Sequence, residues 1–140
     1  MIQVSLAILY RDGKFLFQLR DNIPNIVHPG VWGLFGGHLE PKETPETCLK
    51  RELIEEIGYA VSDVILFNQY ADSLVNRWVF YAPLTVDLSQ LVLNEGWDMG
   101  LLTTEDIQSG ECYSHKAGMV RLIGTPHQRI LLDFITQNLI

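Results

Sequence analysis

The order of elements along the chain predicts an α+β fold with a mixed sheet between helices. Three observations support this prediction: a series of short strands at the start, a strongly patterned helix in the first half, and an amphipathic helix at the end. Each helix has an apolar stripe, which must pack against another element such as the sheet. A length of 140 residues suits one domain with one core, so we expect residues 1–140 to form a single domain.

The first part of the chain is predicted to contain three strands. In chain order they are residues 2–10, 14–20 and 31–37, the last of which ends in a pair of glycines. A turn at residues 11–13 joins the first two strands. Residues 21–30 hold two prolines and two asparagines and are predicted to form a loop. This loop is either a plain surface connection or the rim of a substrate pocket.

A helix is predicted to follow the glycine pair. Thr44 can cap its start, Pro45 suits its first position, and Gly58 suits a left-handed residue at its end. Its apolar residues recur at helical spacing, and they are Cys48, Leu49, Leu53, Ile54 and Ile57. We expect the stripe of Leu49, Leu53 and Ile57 to pack on the core, with Cys48 as a small core residue.

Three glutamates fall together on a neighbouring face of this helix, namely Glu52, Glu55 and Glu56. Such a group is either a solvated acidic face or a metal site. Clustered hard oxygen ligands suit Mg²⁺, which also bridges substrate phosphates. The glycine pair ahead of the helix favours the metal site, because glycines let the backbone approach phosphate oxygens closely. Arg51 lies one turn before Glu55 and can pair with it.

The spacing of these residues resembles a known family signature. Five residues separate Gly37 from Glu43, seven separate Glu43 from Arg51, and the run RELIEEIGY occupies residues 51–59. This closely resembles the signature box of the Nudix hydrolases, the MutT-like family, with every fixed position filled over residues 37–59. Tyr59 stands where an aliphatic residue is usual. The resemblance implies an α/β/α sandwich with a mixed sheet, in which the box forms a loop–helix–loop.

The resemblance also implies a reaction and a cofactor. The reaction is hydrolysis of the phosphoric anhydride in a nucleoside diphosphate linked to another moiety. The cofactor is Mg²⁺, or Mn²⁺ in its place, and the implied ligands are the Gly37 carbonyl, Glu52, Glu55 and Glu56. Arg51 would orient these glutamates through a salt bridge.

The catalytic base is left open by the resemblance. In some relatives it is the first glutamate of the box helix, here Glu52. In others it is an acid in a downstream loop, and Glu95 and Asp98 both stand in such a segment. The sequence does not choose among them.

Five further residues are candidates for substrate binding. Phe35 stands where many relatives have proline, and this departure either alters the stiffness of the loop or presents a ring to the substrate. Gly36 can approach a phosphate, and His38 either contacts a phosphate or is a structural loop residue. Arg77 and Tyr81 share one face of a later strand, where they could pair with and stack on a nucleotide, although core or interface roles are more common for such aromatics.

The rest of the chain is predicted to add a hairpin and two helices. Residues 60–70 and 74–86 are predicted strands, joined by a turn at residues 71–73. The later segments are predicted, in order, as a short strand or turn at residues 88–93, a capped short helix at 103–107 and a polar loop at 109–117. The terminal helix is predicted to be capped by Thr125, with Pro126 first. Its apolar stripe extends to Leu139 and is formed by Ile130, Leu131, Phe134 and Ile135.

Composition limits the partners. The net charge of −7 argues against a general binder of nucleic acid or anionic membranes. We therefore expect a small-molecule nucleotide as the partner, and no polymeric nucleic acid or membrane. The apolar run at residues 4–10 is short, so no signal peptide or transmembrane span is predicted. Cys48 and Cys112 show no metal or redox spacing, which predicts a reducing, cytoplasmic compartment.

Motifs that are missing from the sequence reduce the number of candidate substrate classes. The proline that often marks relatives preferring ADP-ribose is absent, because Ser73, Leu74 and Val75 stand at its position. The extended motifs of relatives that cleave NADH and coenzyme A are not visible. Nucleoside triphosphates, including oxidised ones, and nucleotide sugars remain, and the short chain favours triphosphates.

Two other functions are weighed against hydrolysis. One is a non-catalytic nucleotide-binding module on the Nudix fold, and the intact glutamate set argues against it. The other is isomerase chemistry on an isoprenoid diphosphate, which the complete box and the lack of an obvious catalytic Cys–Glu pair disfavour. Nudix proteins are often dimers, so a homodimer is among the expected partners, and the sequence does not decide it.

Overall fold

A computed structural model of the protein describes residues 1–26 and 29–140. Part of the predicted loop, residues 27 and 28, lies outside these described residues. The chain divides into two compact units, one of residues 1–10 and 35–94, the other of residues 11–34 and 95–140. The expectation of one domain over residues 1–140 stays a prediction. No helix in the described residues is both long enough and apolar enough to cross a membrane.

Nine strands and three α-helices make up the described residues. The strands are β1 (Ile2–Arg11), β2 (Lys14–Leu19), β3 (Trp32–Gly33), β4 (Phe35–His38), β5 (Ile65–Ala71), β6 (Val75–Pro83), β7 (Asp98–Leu102), β8 (Glu111–Ser114) and β9 (Met119–Leu122). The helices are α1 (Pro45–Ile57), α2 (Thr104–Ser109) and α3 (Thr125–Gln137).

The first unit contains a mixed sheet. Its strand β1 runs parallel to β6 and antiparallel to β4. Strand β5 pairs antiparallel with β6, which confirms the predicted hairpin. Asp72 closes the hairpin turn, because its carboxylate accepts hydrogen bonds from the backbone N–H groups of Leu74 and Val75 at 2.8 and 2.9 Å. The parallel and antiparallel pairings together confirm that the sheet is mixed.

Helix α1 begins and ends as predicted. The Thr44 hydroxyl accepts a hydrogen bond from the Thr47 N–H at 3.1 Å, and Pro45 is the first helical residue. Gly58 adopts the left-handed conformation, with φ of 65°, and donates its N–H to the last turn. The stripe of Leu49, Leu53 and Ile57 is fully buried, and so is Cys48.

Two predictions for the first unit were wrong in detail. Residues 60–64 form no strand, and β5 begins only at Ile65, where its pairing with β6 begins opposite Tyr81. Strand β6 ends at Pro83, whose ring removes a ladder donor. Of the two alternatives predicted for residues 88–93, a short strand or a turn, the turn is correct, because Leu88–Gln90 form a 3-10 turn.

The second unit has a three-stranded pairing around β2. Strand β2 pairs antiparallel with both β3 and β7. Phe15 on β2 meets Phe134 on α3 edge to face, with ring centroids 6.2 Å apart. Ile130 and Leu131 of α3 are also fully buried, as the predicted stripe requires. Helix α2 carries the predicted cap, in which the Thr103 hydroxyl accepts the Asp106 N–H at 3.1 Å.

The single strand predicted for residues 31–37 is two strands. Leu34 separates β3 from β4, because its N–H donates to Nδ1 of His127 at 3.0 Å and takes no part in a ladder. The prediction that the strand ends in the glycine pair was also wrong, since β4 continues through Gly36 and Gly37 to His38.

Two predictions near the end of the chain were wrong. Residues 109–117 are not one loop, because residues 111–114 form β8, which pairs antiparallel with β9 across a turn. Gly124, not Thr125, is the N-cap of α3, and the helix ends at Gln137 because Asn138 turns left-handed with φ of 52°. Leu139 and the half-buried Ile135 therefore add little to the stripe.

Candidate active site

The glycine pair lies beside β1 in the first unit. Gly36 and Gly37 face Leu6 and Ser5 respectively in the antiparallel register. Gly36 has φ of +149°, which L side chains rarely adopt, and a Cβ there would also overlap the Ser5 carbonyl. Both the backbone conformation and the close approach of β1 therefore require glycine at position 36.

Gly37 is required for a different reason. A Cβ at this position would lie 2.5 and 2.7 Å from the two carboxylate oxygens of Glu52. The Glu52 carboxylate thus occupies the space beside the Gly37 backbone. The Cys48 thiol donates to the Gly37 carbonyl at 3.5 Å, and burial raises the pKa of this thiol to about 11, which keeps the proton on it.

Glu56 is the most buried of the three glutamates. It is 4% exposed, and its Oε1 accepts a hydrogen bond from the Gly36 N–H at 3.0 Å. A buried carboxylate needs such donors, because its charge has lost most of its hydration. The carboxylate of Glu56 therefore links the C-terminal half of α1 to the glycine pair.

Arg51 connects several acidic groups of the box. Its guanidinium donates to both oxygens of Glu43, from Nε at 2.7 Å and from Nη2 at 2.9 Å. Its Nη1 contacts Glu52 Oε1 at 3.0 Å and Glu55 Oε2 at 3.3 Å, so the pair allowed by the sequence spacing is present. Its Nη2 also donates to the His38 carbonyl at 3.2 Å. The Arg51 side chain thus orients Glu52 and Glu55, two of the predicted ligands, and is hydrogen-bonded to the last residue of β4.

The charges of this cluster shift the pKa values of its members. The pKa of Glu43 is lowered to about 2, first by the hydrogen bond from Arg51 and then by the backbone N–H of Glu40. The same interaction, in which the guanidinium of Arg51 donates to the Glu43 carboxylate, is the main cause that raises the pKa of Arg51. Both groups therefore stay charged across the physiological pH range.

The three glutamates on the acidic face differ in their environment. Glu56 is buried, 17% of the Glu52 side chain is exposed, and 57% of the Glu55 side chain is exposed. Asn94 holds the end of this face, because its N–H donates to the Glu56 carbonyl at 2.9 Å and its side-chain amide to the Glu55 carbonyl at 3.0 Å. This role was not predicted, since no sequence motif marks a single asparagine.

The donor set is suited to Mg²⁺. Glu52, Glu55, Glu56 and the Gly37 carbonyl supply only hard oxygen atoms, and the glycine leaves the Glu52 carboxylate room beside the backbone. Across residues 1–26 and 29–140, no three His, Cys, Asp or Glu side chains are grouped closely enough to cage a metal. Mg²⁺ does not need such a cage, because it retains waters and shares substrate phosphates. The metal ligands stay a prediction.

The two downstream acids lie in the second unit. Glu95 accepts a hydrogen bond at its backbone carbonyl from the Gln18 side chain, at 2.7 Å. Asp98 is buried at the start of β7, and its Oδ2 accepts a hydrogen bond from the Ser114 hydroxyl at 2.7 Å. The Asp98 carboxylate therefore already has a structural partner. The catalytic assignment of either acid stays a prediction.

The predicted substrate-binding residues are dispersed in the first unit. Phe35 is buried in the core, and His38 is exposed. Arg77 pairs with Asp72 at 3.1 Å, and the pKa of Asp72 is lowered to about 2, mainly by the N–H groups of Leu74 and Val75. Tyr81 lines a cleft of about 260 Å³ together with Tyr10. No substrate contact of these residues is tested, so each assignment stays a prediction.

Comparison with known proteins decides the family. A model of the NUDIX domain matches residues 1–111 of the chain. The chain belongs to the Nudix hydrolase family. The predicted membership is therefore confirmed, and the box over residues 37–59 lies within the matched region.

Two curated Nudix relatives match parts of the chain. The CTP pyrophosphohydrolase of Escherichia coli is 43% identical over 58 residues, which are 41% of this chain and 42% of that protein. The nucleoside triphosphatase NudI of Enterobacter sp. is 30% identical over 97 residues, covering 59% of this chain and 69% of that protein. The chain thus spans less than half of the first relative and about two thirds of the second.

The fold is shared with solved Nudix structures. The MutT protein of Methanosarcina mazei Go1 superposes with a TM-score of 0.74 at 20% identity, and the match covers 99% of this chain and 96% of that one. This likeness confirms the predicted α/β sandwich with a mixed sheet.

Proposed function

We propose that this Nudix protein is a Mg²⁺-dependent pyrophosphohydrolase acting on a nucleoside diphosphate linked to another moiety. The observation that carries the proposal is the Arg51 cluster. Arg51 orients Glu52 and Glu55, while the Gly36 N–H, on β4, orients Glu56. Carboxylates placed in this way are preorganised before any substrate arrives.

The residues of the box have distinct tasks in this proposal. Glu52, Glu55, Glu56 and the Gly37 carbonyl would hold Mg²⁺. When bound, the ion neutralises diphosphate charge and lowers the pKa of water. Glu43 fixes the guanidinium of Arg51, and Arg51 keeps the glutamates from moving apart under their mutual repulsion. A carboxylate removes the proton of the attacking water, and Glu52, Glu95 and Asp98 remain the candidates.

A nucleoside triphosphate is the substrate class that we favour. Two relatives carry names of this kind, a CTP pyrophosphohydrolase and a nucleoside triphosphatase. Oxidised triphosphates belong to the same class, and nucleotide sugars are the second choice. A cytoplasmic location and a small-molecule partner, with or without a homodimer, complete the proposal.

A hydrolysis panel tests this function. The panel holds nucleoside triphosphates, 8-oxo-dGTP, ADP-ribose, nucleotide sugars and dinucleoside polyphosphates, each with Mg²⁺, with Mn²⁺ and with EDTA at slightly alkaline pH. We expect one triphosphate to be cleaved fastest and EDTA to abolish the cleavage. Tight binding without cleavage of any compound would contradict the proposal and support the binding-module alternative.

A further inference from the structure

The chain that leads into the glycine pair is held by a segment near the C-terminus. Within the second unit, residues 121–127 contact residues 30–34 through three hydrogen bonds. Arg121 Nε donates to the Gly30 carbonyl at 2.8 Å, the Gly124 N–H to the Trp32 carbonyl at 2.9 Å, and the Leu34 N–H to His127 Nδ1 at 3.0 Å. The hydrogen-bonded residues follow in the same order along both segments, so the two segments run parallel to each other.

His127 makes the last of these contacts, the one closest in sequence to the glycine pair. Leu34 is buried and lies between β3 and β4, which pair with different strands. Its N–H therefore belongs to neither ladder, and a buried N–H without an acceptor is costly. The imidazole supplies that acceptor. Because Nδ1 accepts, it carries no proton, and the neutral ring has its proton on Nε2.

Two glycines, Gly33 and Gly124, lie beside the imidazole of His127. A Cβ on Gly33 would lie 3.4 Å from Cε1 of His127, and a Cβ on Gly124 would lie 3.4 Å from Cδ2. The backbones of both glycines thus border the ring, and even a methyl group at either position would only just reach van der Waals contact with it. The direction of Nδ1 is defined by the hydrogen bond that it accepts from the Leu34 N–H.

We propose that His127 is a positioning residue for the reaction of the Nudix site. The inference rests on the proposed hydrolase function. Only Phe35 separates Leu34 from Gly36, and the Gly36 N–H holds the Glu56 carboxylate. A shift at Leu34 must either move the buried ring of Phe35 or rotate the peptide that carries this N–H. His127 therefore acts on Glu56 through the backbone and touches no reacting atom.

Three variants separate this role from general stability. His127→Leu keeps an apolar side chain of moderate size but removes the acceptor. His127→Asn returns an oxygen to the place of Nδ1. Gln128→Leu is the matched control, because the neighbouring Gln128 side chain donates to the Ile107 carbonyl at 2.9 Å and holds α3 to α2.

The variants are compared by kcat, KM, Tm and the exchange rate of the Leu34 amide. For His127→Leu we expect faster exchange and a kcat about tenfold to a hundredfold lower on the best substrate of the panel, since small misplacements of reacting groups have effects of this size. KM should change less. His127→Asn should restore most of the slow exchange and of kcat. Gln128→Leu should lower Tm and leave kcat and Leu34 exchange near the wild-type values.

Two outcomes would overturn the inference. One is a wild-type kcat in His127→Leu despite fast Leu34 exchange. The other is an equal loss of kcat in Gln128→Leu, which would mean that general destabilisation is the cause. If His127→Leu does not fold, His127→Gln replaces it, since its acceptor is displaced by one bond, and a wild-type kcat there would count equally against the inference. Absence of any hydrolysis by the wild type is a different result, because it would refute the proposed function itself.

Discussion

The guanidinium of Arg51 donates two hydrogen bonds to the carboxylate of Glu43, from Nε to Oε2 at 2.7 Å and from Nη2 to Oε1 at 2.9 Å. Only 9% of the Glu43 side chain is exposed. Paired bonds of this kind between charged groups are strong and fix the orientation of both partners. The other contacts of Arg51, to Glu52, Glu55 and His38, therefore depend on Glu43.

This pair predicts a pH dependence of stability. The pKa of Glu43 falls from 4.5 to about 2 on folding, so its ionised form stabilises the folded protein. The stabilisation is complete above the unfolded pKa of 4.5 and is lost as the pH falls through about 2. We expect Glu43→Gln to be less stable than the wild type near neutral pH, and the difference to shrink below 4.5. Denaturant unfolding at several pH values measures it; a difference that stays constant down to low pH would contradict the assignment.

Glu56→Gln tests the buried carboxylate. Glutamine keeps an oxygen that can accept the Gly36 N–H but removes the charge, so we expect a folded protein whose turnover is lower by orders of magnitude. Glu46→Gln is the control, since Glu46 lies on the same helix, is exposed, and pairs only weakly with Lys50 at 3.6 Å. Its kcat should equal that of the wild type. Full activity in a folded Glu56→Gln variant would refute the role of Glu56.

Adjacent residues of α1 test the orientation of the helix. Leu53 is fully buried and Ile54 is 54% exposed. Leu53→Ala should lower the free energy of unfolding by about 2–5 kcal/mol, because it removes buried methyl groups and leaves a cavity. Ile54→Ala should change it by no more than about 0.5 kcal/mol. Denaturant titration of both variants measures the contrast, and similar losses in the two would mean that the buried face is misassigned.

Asp98 and Ser114 should be coupled in stability. The Ser114 hydroxyl donates to Asp98 Oδ2 at 2.7 Å, and both residues are buried. A double-mutant cycle with Asp98→Ala and Ser114→Ala should give a coupling energy of about 1.5–3 kcal/mol, as expected for a hydrogen bond to a charged group. A large loss of kcat in Asp98→Ala without coupling or destabilisation would instead favour Asp98 as the base, and the same kinetic comparison with Glu95→Ala would separate the two acids.

Local signals account for what the sequence predicted correctly. Helix α1 was predicted to the residue because Thr44, Pro45 and Gly58 specify its ends within its own segment. The hairpin of β5 and β6 was found for the same reason, since its turn is closed by the side chain of Asp72. The spacing of the box residues placed Arg51 within reach of Glu55, and the contact is present.

Distant contacts account for what was missed. The break at Leu34 depends on His127, which lies 93 residues further along the chain and belongs to no motif. The hairpin of β8 and β9 escaped notice because its apolar residues Tyr113, Val120 and Leu122 are exposed, so no buried face imposes an alternating pattern. The role of Asn94 is equally hidden, because it acts through backbone carbonyls that any residue could present.

The two adjacent glycines should respond differently to compensation. At Gly36 a new methyl group meets the main chain of β1 and an unfavourable φ, neither of which another substitution can remove. At Gly37 it meets only the tip of the Glu52 side chain among its nearest neighbours. Shortening that side chain in a Gly37→Ala, Glu52→Asp double variant would therefore relieve the clash. The effect of a substitution at position 37 thus depends on the residue at position 52, whereas no side-chain substitution of this kind can compensate a change at position 36. In an alignment of the family, substitutions of Gly37 should therefore occur together with changes at position 52, and substitutions of Gly36 should show no such partner.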